Sequence, residues 1–355
     1  MSRIAVSILG GSGYGGGELL RLLAQHPRVE SLRAVSRKQA GEPFWKAHPN
    51  LRGVLQGDFD AEPNWRALAT ADVPVLFAAM PHMEFAKQLP LLEAEWEKHG
   101  LAERLTVIDL SGDFRLDDAD AYALAYGAAH PCPHQLGSFI YGLPEWRGSD
   151  LVEARRIASP GCFATAIQLA LLPFAGMSDL GFIAVSAATG SSGSGASPGE
   201  GTHHPLRAQD FRAYKALSHQ HGAEIIRLLE ATGSRGYSFS FVPHSAPMVR
   251  GIFATAQFRP DKRLGLDAAA VQARIESAYR DAPFVRLVGE SPRVGAVVGS
   301  NFCDIGWQVK DGTVAIMTAL DNLVKGMAGQ ALQNMNLALG FPETEGLMLA
   351  GTYPG

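Results

Sequence analysis

The residue best placed for chemistry is a cysteine directly behind a Pro-Gly pair. Ser159-Pro160-Gly161-Cys162 ends a short β-like run, Arg155 to Ala158, and helical spacing resumes from Phe163 to Leu172. At a helix N-terminus the dipole and free backbone N–H groups favour a thiolate and can hold the oxyanion of an attacked carbonyl. Cys162 is therefore a candidate nucleophile. Cys132 and Cys303 lack that context and read as inert buried thiols. The run Ser218-His219-Gln220-His221-Gly222-Ala223-Glu224 puts two histidines at a second helix entry. Either could act as acid and base, with Glu224 orienting it. No third ligand of matching spacing accompanies this pair or His203-His204, so no metal site is expected.

A second constellation stands near the start of the chain. Gly10, Gly13 and Gly16 form G-x-x-G-x-x-G between an apolar β-rich run, Arg3 to Leu9, and an amphipathic helical stretch, Glu18 to Ala24. Glycines there let the backbone approach a pyrophosphate, and the helix start supplies N–H donors. The pattern alone also fits a tight turn; its place after the first strand points to a dinucleotide. Where an acid often holds the ribose hydroxyls, after a second strand Val29 to Val35, this chain has Ser36-Arg37-Lys38. A hydroxyl beside two cations suits a 2′-phosphate, which favours NADP over NAD.

The elements that must position these residues alternate. Strands at Val73 to Met80 and Leu105 to Leu110 flank a helix at Met83 to Glu97, as expected of a doubly wound parallel sheet. The stretch from Gly112 to Gly148 is rich in turns and aromatics. Beyond Gly181 the order becomes irregular: strands at Phe182 to Ala188, Ser238 to Val242, Arg250 to Phe258 and Thr313 to Leu320, and helices near Ala223 to Glu230 and Asp267 to Ala278. A mixed α+β domain follows from that pattern. The Gly- and Ser-dense stretch Gly190 to Gly201 lies inside it and reads as a working loop. Asn322 to Leu339 reads as one long helix. The fold class is thus α/β, a Rossmann-type domain over 1–160, an α+β catalytic domain over 161–320, and a C-terminal helix and tail over 321–355.

Composition narrows the partners. Lys and Arg number 31 against 35 Asp and Glu, so no strong field draws in nucleic acid or an anionic membrane. Three scattered cysteines without CxxC spacing disfavour a disulfide framework and suit a reducing cytoplasm. Neither a cleavable leader nor a membrane span is expected.

Taken together these segments resemble the N-acetyl-γ-glutamyl-phosphate reductase family over nearly the whole chain. The resemblance rests on Gly10-x-Ser12-Gly13-Tyr14-x-Gly16-x-Glu18-Leu19, Ser36-Arg37, Pro81-His82, Asp109-Leu110-Ser111-x-Asp113-Phe114-Arg115, Tyr141-Gly142-Leu143-Pro144-Glu145 and Ser159-Pro160-Gly161-Cys162-x-Ala164-Thr165. It continues through His219-x-His221-x-x-Glu224, Pro243-His244, Arg250-Gly251, Gly299-Ser300-Asn301 and Asp321-Asn322-Leu323-x-Lys325-Gly326. It implies an NADPH-dependent reduction of an acyl phosphate to a semialdehyde through a Cys162 thioester, with His219 as acid/base. It also implies cofactor contacts at Gly10, Ser12, Gly13, Tyr14, Gly16, Ser36, Arg37 and Asn322, on a C-terminal helix that returns to the first domain, and a homo-oligomer. Substrate contacts are expected at Ser192, Gly193, Arg115 and Arg250; the two arginines could instead form structural ion pairs.

One segment departs from the usual pattern. Relatives acting on N-acetyl-glutamyl phosphate carry a loop like SGVSGAGRK, whereas this chain runs Gly190-Ser191-Ser192-Gly193-Ser194-Gly195-Ala196-Ser197-Pro198-Gly199-Glu200-Gly201-Thr202-His203-His204-Pro205. That is similar to the branch reducing aminoadipyl phosphate attached to the small acidic carrier LysW. Arg207, Arg212 and Lys215, against Asp210, could face such a carrier or the small substrate's own anionic groups. A cysteine hydrolase and a non-catalytic NADP-binding sensor are the competing classes; the first leaves the glycine turn without purpose, and the second predicts no turnover.

Overall fold

The computed structural model describes residues 3–354. The chain forms two compact units: one runs to Pro160 and regains Met327–Met348, and the other holds Gly161–Gly326 with the segment from Leu349 onward. Residues 321–326 thus belong to the second unit, whereas the helix after them belongs to the first.

The first unit is built on six parallel strands: β1 (Ile4–Leu9), β2 (Val29–Val35), β3 (Val73–Ala78), β4 (Thr106–Asp109), β5 (Ile140–Tyr141) and β6 (Arg156–Ala158). Their order is β2-β1-β3-β4-β6-β5. β1 is buried along its whole length, as a central strand covered on both faces must be. One side's core gathers Leu76, Phe85, Leu89, Trp96 and Phe114, with Phe114 stacked on Phe139 at 4.4 Å between ring centres. The stretch expected to be turns contains two helices, Ala119–Tyr126 and Pro144–Leu151. The first is capped at both ends: Asp118 accepts the Ala121 N–H, and Gly127 takes a left-handed conformation.

The expected long C-terminal helix is divided. A π-helical turn, Val324–Ala328, leads into the α-helix Gly329–Ala338. That helix contacts β4 and the helices Tyr14–Leu23 and Pro144–Leu151 of its unit. It buries Gln330, Asn334 and Asn336. Such polar burial is tolerable only with partners: Gln330 and Asn334 each donate to the Gly142 carbonyl at 2.9 Å, and Asn336 bonds His26 at 3.1 Å.

The second unit carries a mixed sheet of β7 (Ser178–Thr189), β8 (Arg212–Ala213), β9 (Arg235–Ser245), β10 (Ile252–Phe258), β11 (Val285–Leu287), β12 (Cys303–Lys310) and β13 (Thr313–Leu320). The order is β11-β12-β13-β10-β7-β9-β8. The helix Cys162–Leu171 contacts β10 and β13, and Ile183, Val185, Ala254, Ala256 and Ile316 are buried. Alternation then turns Phe182, Ala184, Phe253, Thr255 and Met317 to the other face, where they are exposed or half-buried. Among the described residues no helix is long and apolar enough to cross a membrane.

Asp321 ties the second unit's crossing points together. It is fully buried, pairs with both arms of Arg250 at 2.9 and 3.1 Å, and accepts the N–H groups of Gly299, Leu323 and Val324. Removing one partner of a buried pair leaves the other charge uncompensated. Asp321→Ala should therefore cost about 3–5 kcal/mol of unfolding free energy in a urea titration. Arg250→Leu together with Asp321→Ala should lose less than the sum of the two single changes.

Candidate active site

In the first unit the chain leaves β1 through a turn that only glycine fits. Gly10 has φ +75° and lies against the Ala79 carbonyl, where a side chain would collide with backbone. Gly16 packs on Gly11 as closely, while a Cβ on Gly13 would meet only the Gly10 carbonyl oxygen, at an ordinary contact of 3.5 Å. His48, which the sequence reading missed, is buried behind this turn; its Nε2–H donates to the Gly11 carbonyl at 2.8 Å and its ring covers Gly17. The helix Tyr14–Leu23 begins at once, and its first ladder bond is Gly17 N–H to the Gly13 carbonyl. The N–H groups of Tyr14, Gly15 and Gly16 therefore stand outside the ladder.

The start of this turn lines a cavity of about 640 Å³, with Leu9, Gly10, Ser36, Arg37, Lys38, Met80 and Pro81 among the lining residues. Ser12 and Ser36 share a hydroxyl hydrogen bond of 2.8 Å that ties the turn to the end of β2. Arg37 and Lys38 are exposed on the 3₁₀ turn that follows. A tight glycine-rich turn, N–H groups outside the helix ladder and two cations at the end of β2 fit a dinucleotide with an additional phosphate.

The turn that precedes Cys162 is braced from within the first unit. Arg115 is buried, with Nε donating to the Ser159 carbonyl at 2.8 Å and an Nη to Leu110 at 3.2 Å. Ser159 N–H in turn donates to the Asp109 carbonyl at 2.7 Å. The Asp109 carboxyl is pushed up from its ordinary range, first by burial and then by neighbouring Asp113. Asp113 moves the other way: burial opposes its charge, but His82 at 2.9 Å and the N–H groups of Ala86 and Met83 outweigh it. Arg115, expected as a substrate contact, is thus committed to the backbone here.

In the second unit Cys162 is the first residue of its helix, with Gly161 as cap. Both neighbours in space exclude side chains. A Cβ on Gly161 would enter the His221 ring, and one on Gly326 would stand 2.7 Å from the Cys162 Cβ. Glu224 is buried; its Oε2 accepts the Gly161 N–H at 3.0 Å, and its Oε1 lies 3.9 Å from His221 Nε2. The sequence reading had Glu224 orient the acid/base histidine. The structure sets it against His221 and the cysteine turn, so its hold on His219 passes through His221. His219 accepts the His221 N–H on Nδ1 at 3.2 Å. Its ring stands edge-on to Phe163, Tyr214 and Phe241.

Cys162, His219 and His221 line a second cavity, of about 490 Å³. Thr189, Gly190, Gly193, Arg207, Arg212, Tyr214 and Lys215 share it. The Gly190 loop is pinned to the segment before β10, with Gly190, Ser191 and Ser192 donating to the carbonyls of Gly251, Met248 and Val249. Asn322 is buried beneath it. Its side chain accepts the Gly251 N–H at 2.7 Å and donates to Ser192 at 3.0 Å, which places this expected cofactor contact under the loop in the second unit. Ser192 is turned to Asn322 and Gly193 to the cavity; Arg250 is held by Asp321. Tyr214 had no signal in the sequence, since it follows Arg212-Ala213 in a segment without motif. Among the described residues no cluster of three or more potential metal ligands occurs.

Residues 5–154 match the model of the semialdehyde dehydrogenase NAD binding domain, and residues 162–322 that of the semialdehyde dehydrogenase dimerisation domain. An N-acetyl-gamma-glutamyl-phosphate reductase of Methanopyrus kandleri is 41% identical, covering 99% of this chain and 100% of the relative. A [LysW]-L-2-aminoadipate 6-phosphate reductase of Deinococcus radiodurans is 40% identical, covering 98% of each. Among solved structures, aspartate semialdehyde dehydrogenase II of Vibrio cholerae superposes with a TM-score of 0.67 at 15% identity, over 95% of this chain and 98% of that one; it supports the fold.

His219 gives a pH prediction. Burial, then His221 and Lys215, push its pKa down to about 3. An unfolded chain takes up the proton near the ordinary value of 6.5 while the folded one does not, so stability falls as pH drops from about 6.5 towards 3. His219→Phe should flatten that limb in urea titrations between pH 7 and 4; an unchanged slope would assign the acid sensitivity elsewhere.

The chain belongs to the semialdehyde dehydrogenase family, in the group of N-acetyl-γ-glutamyl-phosphate and LysW-aminoadipate phosphate reductases, and is an NADP-dependent oxidoreductase acting on phosphorylated acyl groups.

Proposed function

We propose that this enzyme reduces the side-chain acyl phosphate of an N-blocked acidic amino acid to the semialdehyde, with carrier-linked L-2-aminoadipate 6-phosphate as its substrate. The observation that carries the reaction is one cavity holding Cys162 at a helix start, a neutral histidine and three cations. The Cys162 sulfur attacks the acyl carbon, the N–H groups of the helix's first turn take the oxyanion, and phosphate leaves. A thioester remains. NADPH, when bound at the glycine turn and Ser36-Arg37, supplies the hydride. His219 holds its proton on Nε2, because Nδ1 is occupied by the His221 N–H. That Nε2–H faces the oxygen as negative charge develops there, and the sulfur when it is expelled.

The choice of acyl group rests on the Gly190–Pro205 segment and on the cations beyond it. Arg212 and Lys215 are exposed where they line the cavity, within reach of an incoming acidic chain as well as of a small anion. Relatives named for the LysW-linked substrate occur in Thermomicrobium roseum, Deinococcus radiodurans and Saccharolobus solfataricus. The second reading is N-acetyl-L-glutamyl 5-phosphate, supported by the Methanopyrus kandleri and Nitrosococcus oceani relatives. The open sheet face with Phe182, Phe253 and Met317 is suited to a second copy of the chain, in keeping with the description of the matched domain.

The reverse reaction, assayed with each semialdehyde, phosphate and NADP⁺, decides the substrate. Efficient turnover of N-acetyl-glutamate semialdehyde with none of the carrier-linked compound would move the enzyme to the second reading. Cys162→Ser should abolish turnover and leave NADPH binding intact, since serine lacks the thiolate and the cofactor contacts lie elsewhere. Residual activity above a few per cent of wild type would sink the covalent route. Arg37→Ala should weaken NADPH by about tenfold or more and NADH little, as a lost phosphate contact requires.

A further inference from the structure

The cavity around Cys162 contains three cations whose situations differ. Arg212 has a carboxylate neighbour, Asp210, at 3.6 Å. The Lys215 ammonium donates to the Gln220 side-chain oxygen at 3.1 Å, and its side chain is otherwise exposed. Arg207 is half-buried. One Nη donates to the Thr189 carbonyl at 3.1 Å, at the end of β7, and its Nε is buried without a hydrogen-bond partner. Thr189 and Gly190, beside that anchor, line the same cavity as the cysteine. Tyr214 lies within electrostatic reach of both Arg207 and Cys162.

The two arginines that the sequence put forward for anions are engaged otherwise. Arg115 holds the carbonyls of Ser159 and Leu110, and Arg250 forks onto Asp321. Asp210 favours the charge of Arg207 only from a distance, without an ion pair, and a guanidinium with part of its hydration removed is costly unless an anion arrives. Burial is also the largest influence on Arg207 and works against its charge. An anion held by Arg207 shares the cavity with the nucleophile, because Arg207, Tyr214 and Cys162 all line it and both outer groups act electrostatically on the tyrosine. In an acyl phosphate the phosphoryl group is attached to the attacked carbon, whereas the α-carboxylate lies at the far end of the side chain.

We propose that Arg207 binds the phosphoryl group, gripping it as it leaves Cys162's acyl carbon in reduction and holding inorganic phosphate in the reverse direction. This rests on the reaction proposed above. In reverse, a phosphate oxygen attacks the thioester carbon, the C–S bond breaks, and the sulfur leaves as thiolate while the phosphate's proton passes to solvent. A fork anchored at Thr189, with Nε free of hydrogen bonds, suits two phosphate oxygens.

The reverse assay separates the two anions, because phosphate and semialdehyde are then different molecules. With whichever semialdehyde the wild type oxidises, Arg207→Met should raise the KM for phosphate by about tenfold or more, the loss of one charge-assisted pair. The KM values for semialdehyde and NADP⁺ should stay within about twofold, as expected for contacts on other residues. Arg207→Lys, which keeps the charge and can still reach the Thr189 carbonyl, should fall between, and decides the matter if the methionine variant fails to fold. Added guanidinium should restore part of the phosphate affinity of Arg207→Ala. An unchanged KM for phosphate overturns the assignment, and a rise confined to the semialdehyde makes Arg207 a carboxylate site instead. Absence of phosphate-dependent turnover in the wild type would refute the proposed reaction itself, a result distinct from either.

Discussion

Much of the second unit depends on a single hydrogen bond, the one from the Gly161 N–H to Glu224. It joins the entry of the cysteine helix to a helix, His221–Ala231, that starts 59 residues further along. Glu224 is buried, so the bond sits where a charged acceptor strengthens it and where losing it would strand a carboxylate. The same helix places His221 against Gly161 and through its backbone fixes Nδ1 of His219. Gln168, nearly two turns inside the cysteine helix, donates back to the Glu224 carbonyl at 2.8 Å. Cysteine and histidines are therefore held by one closed set of bonds, and each helix start is defined by the other.

That closure explains the glycines around the cysteine. The ring of His221 and the Cβ of Cys162 take the space that side chains at 161 and 326 would need. At 326 the chain is in a π-helical turn, which adds a residue to the helical register and appears often at functional sites. Here it brings the glycine onto the cysteine and lets the following helix join a different compact unit. A substitution at either glycine acts on the geometry of the sulfur without touching its chemistry.

What was legible in the sequence was local. The glycine turn, the Pro-Gly-Cys helix start and the Ser36-Arg37 end of β2 are short motifs whose physics is contained in a few neighbouring residues, and each stands where its pattern placed it. The strand β12 was missed because Cys303 to Lys310 lacks the apolar run that marks a buried strand; it is specified by its pairing with β13 along eight residues. The helix Ala119–Tyr126 was hidden among aromatics, although Asp118 and Gly127 are sound capping residues. Arg115 and Arg250 could not be resolved from sequence at all. Their guanidinium groups have the same chemistry whether the partner is a substrate or a buried carbonyl, and the partners seen here, Ser159 and Asp321, lie 44 and 71 residues away.

The distribution of charge in the cysteine cavity suits what the proposed reaction must carry. A phosphorylated acidic side chain brings several negative charges toward a sulfur that must itself be anionic to attack, so cations are needed and a second anion near the sulfur is a liability. Glu224, the nearest structural carboxylate, is accordingly spent on a backbone N–H and turned to His221. His219 is kept neutral by its buried site between aromatic rings and beside a second histidine. A charged imidazolium would compete with Arg207, Arg212 and Lys215 for the incoming anion, whereas a neutral ring with Nε2–H can donate to a developing oxyanion without holding the phosphate back. In the proposed reaction the cavity separates the two tasks: guanidinium and ammonium groups attract and place the anion, and uncharged N–H groups stabilise the charge that appears only as the bonds change.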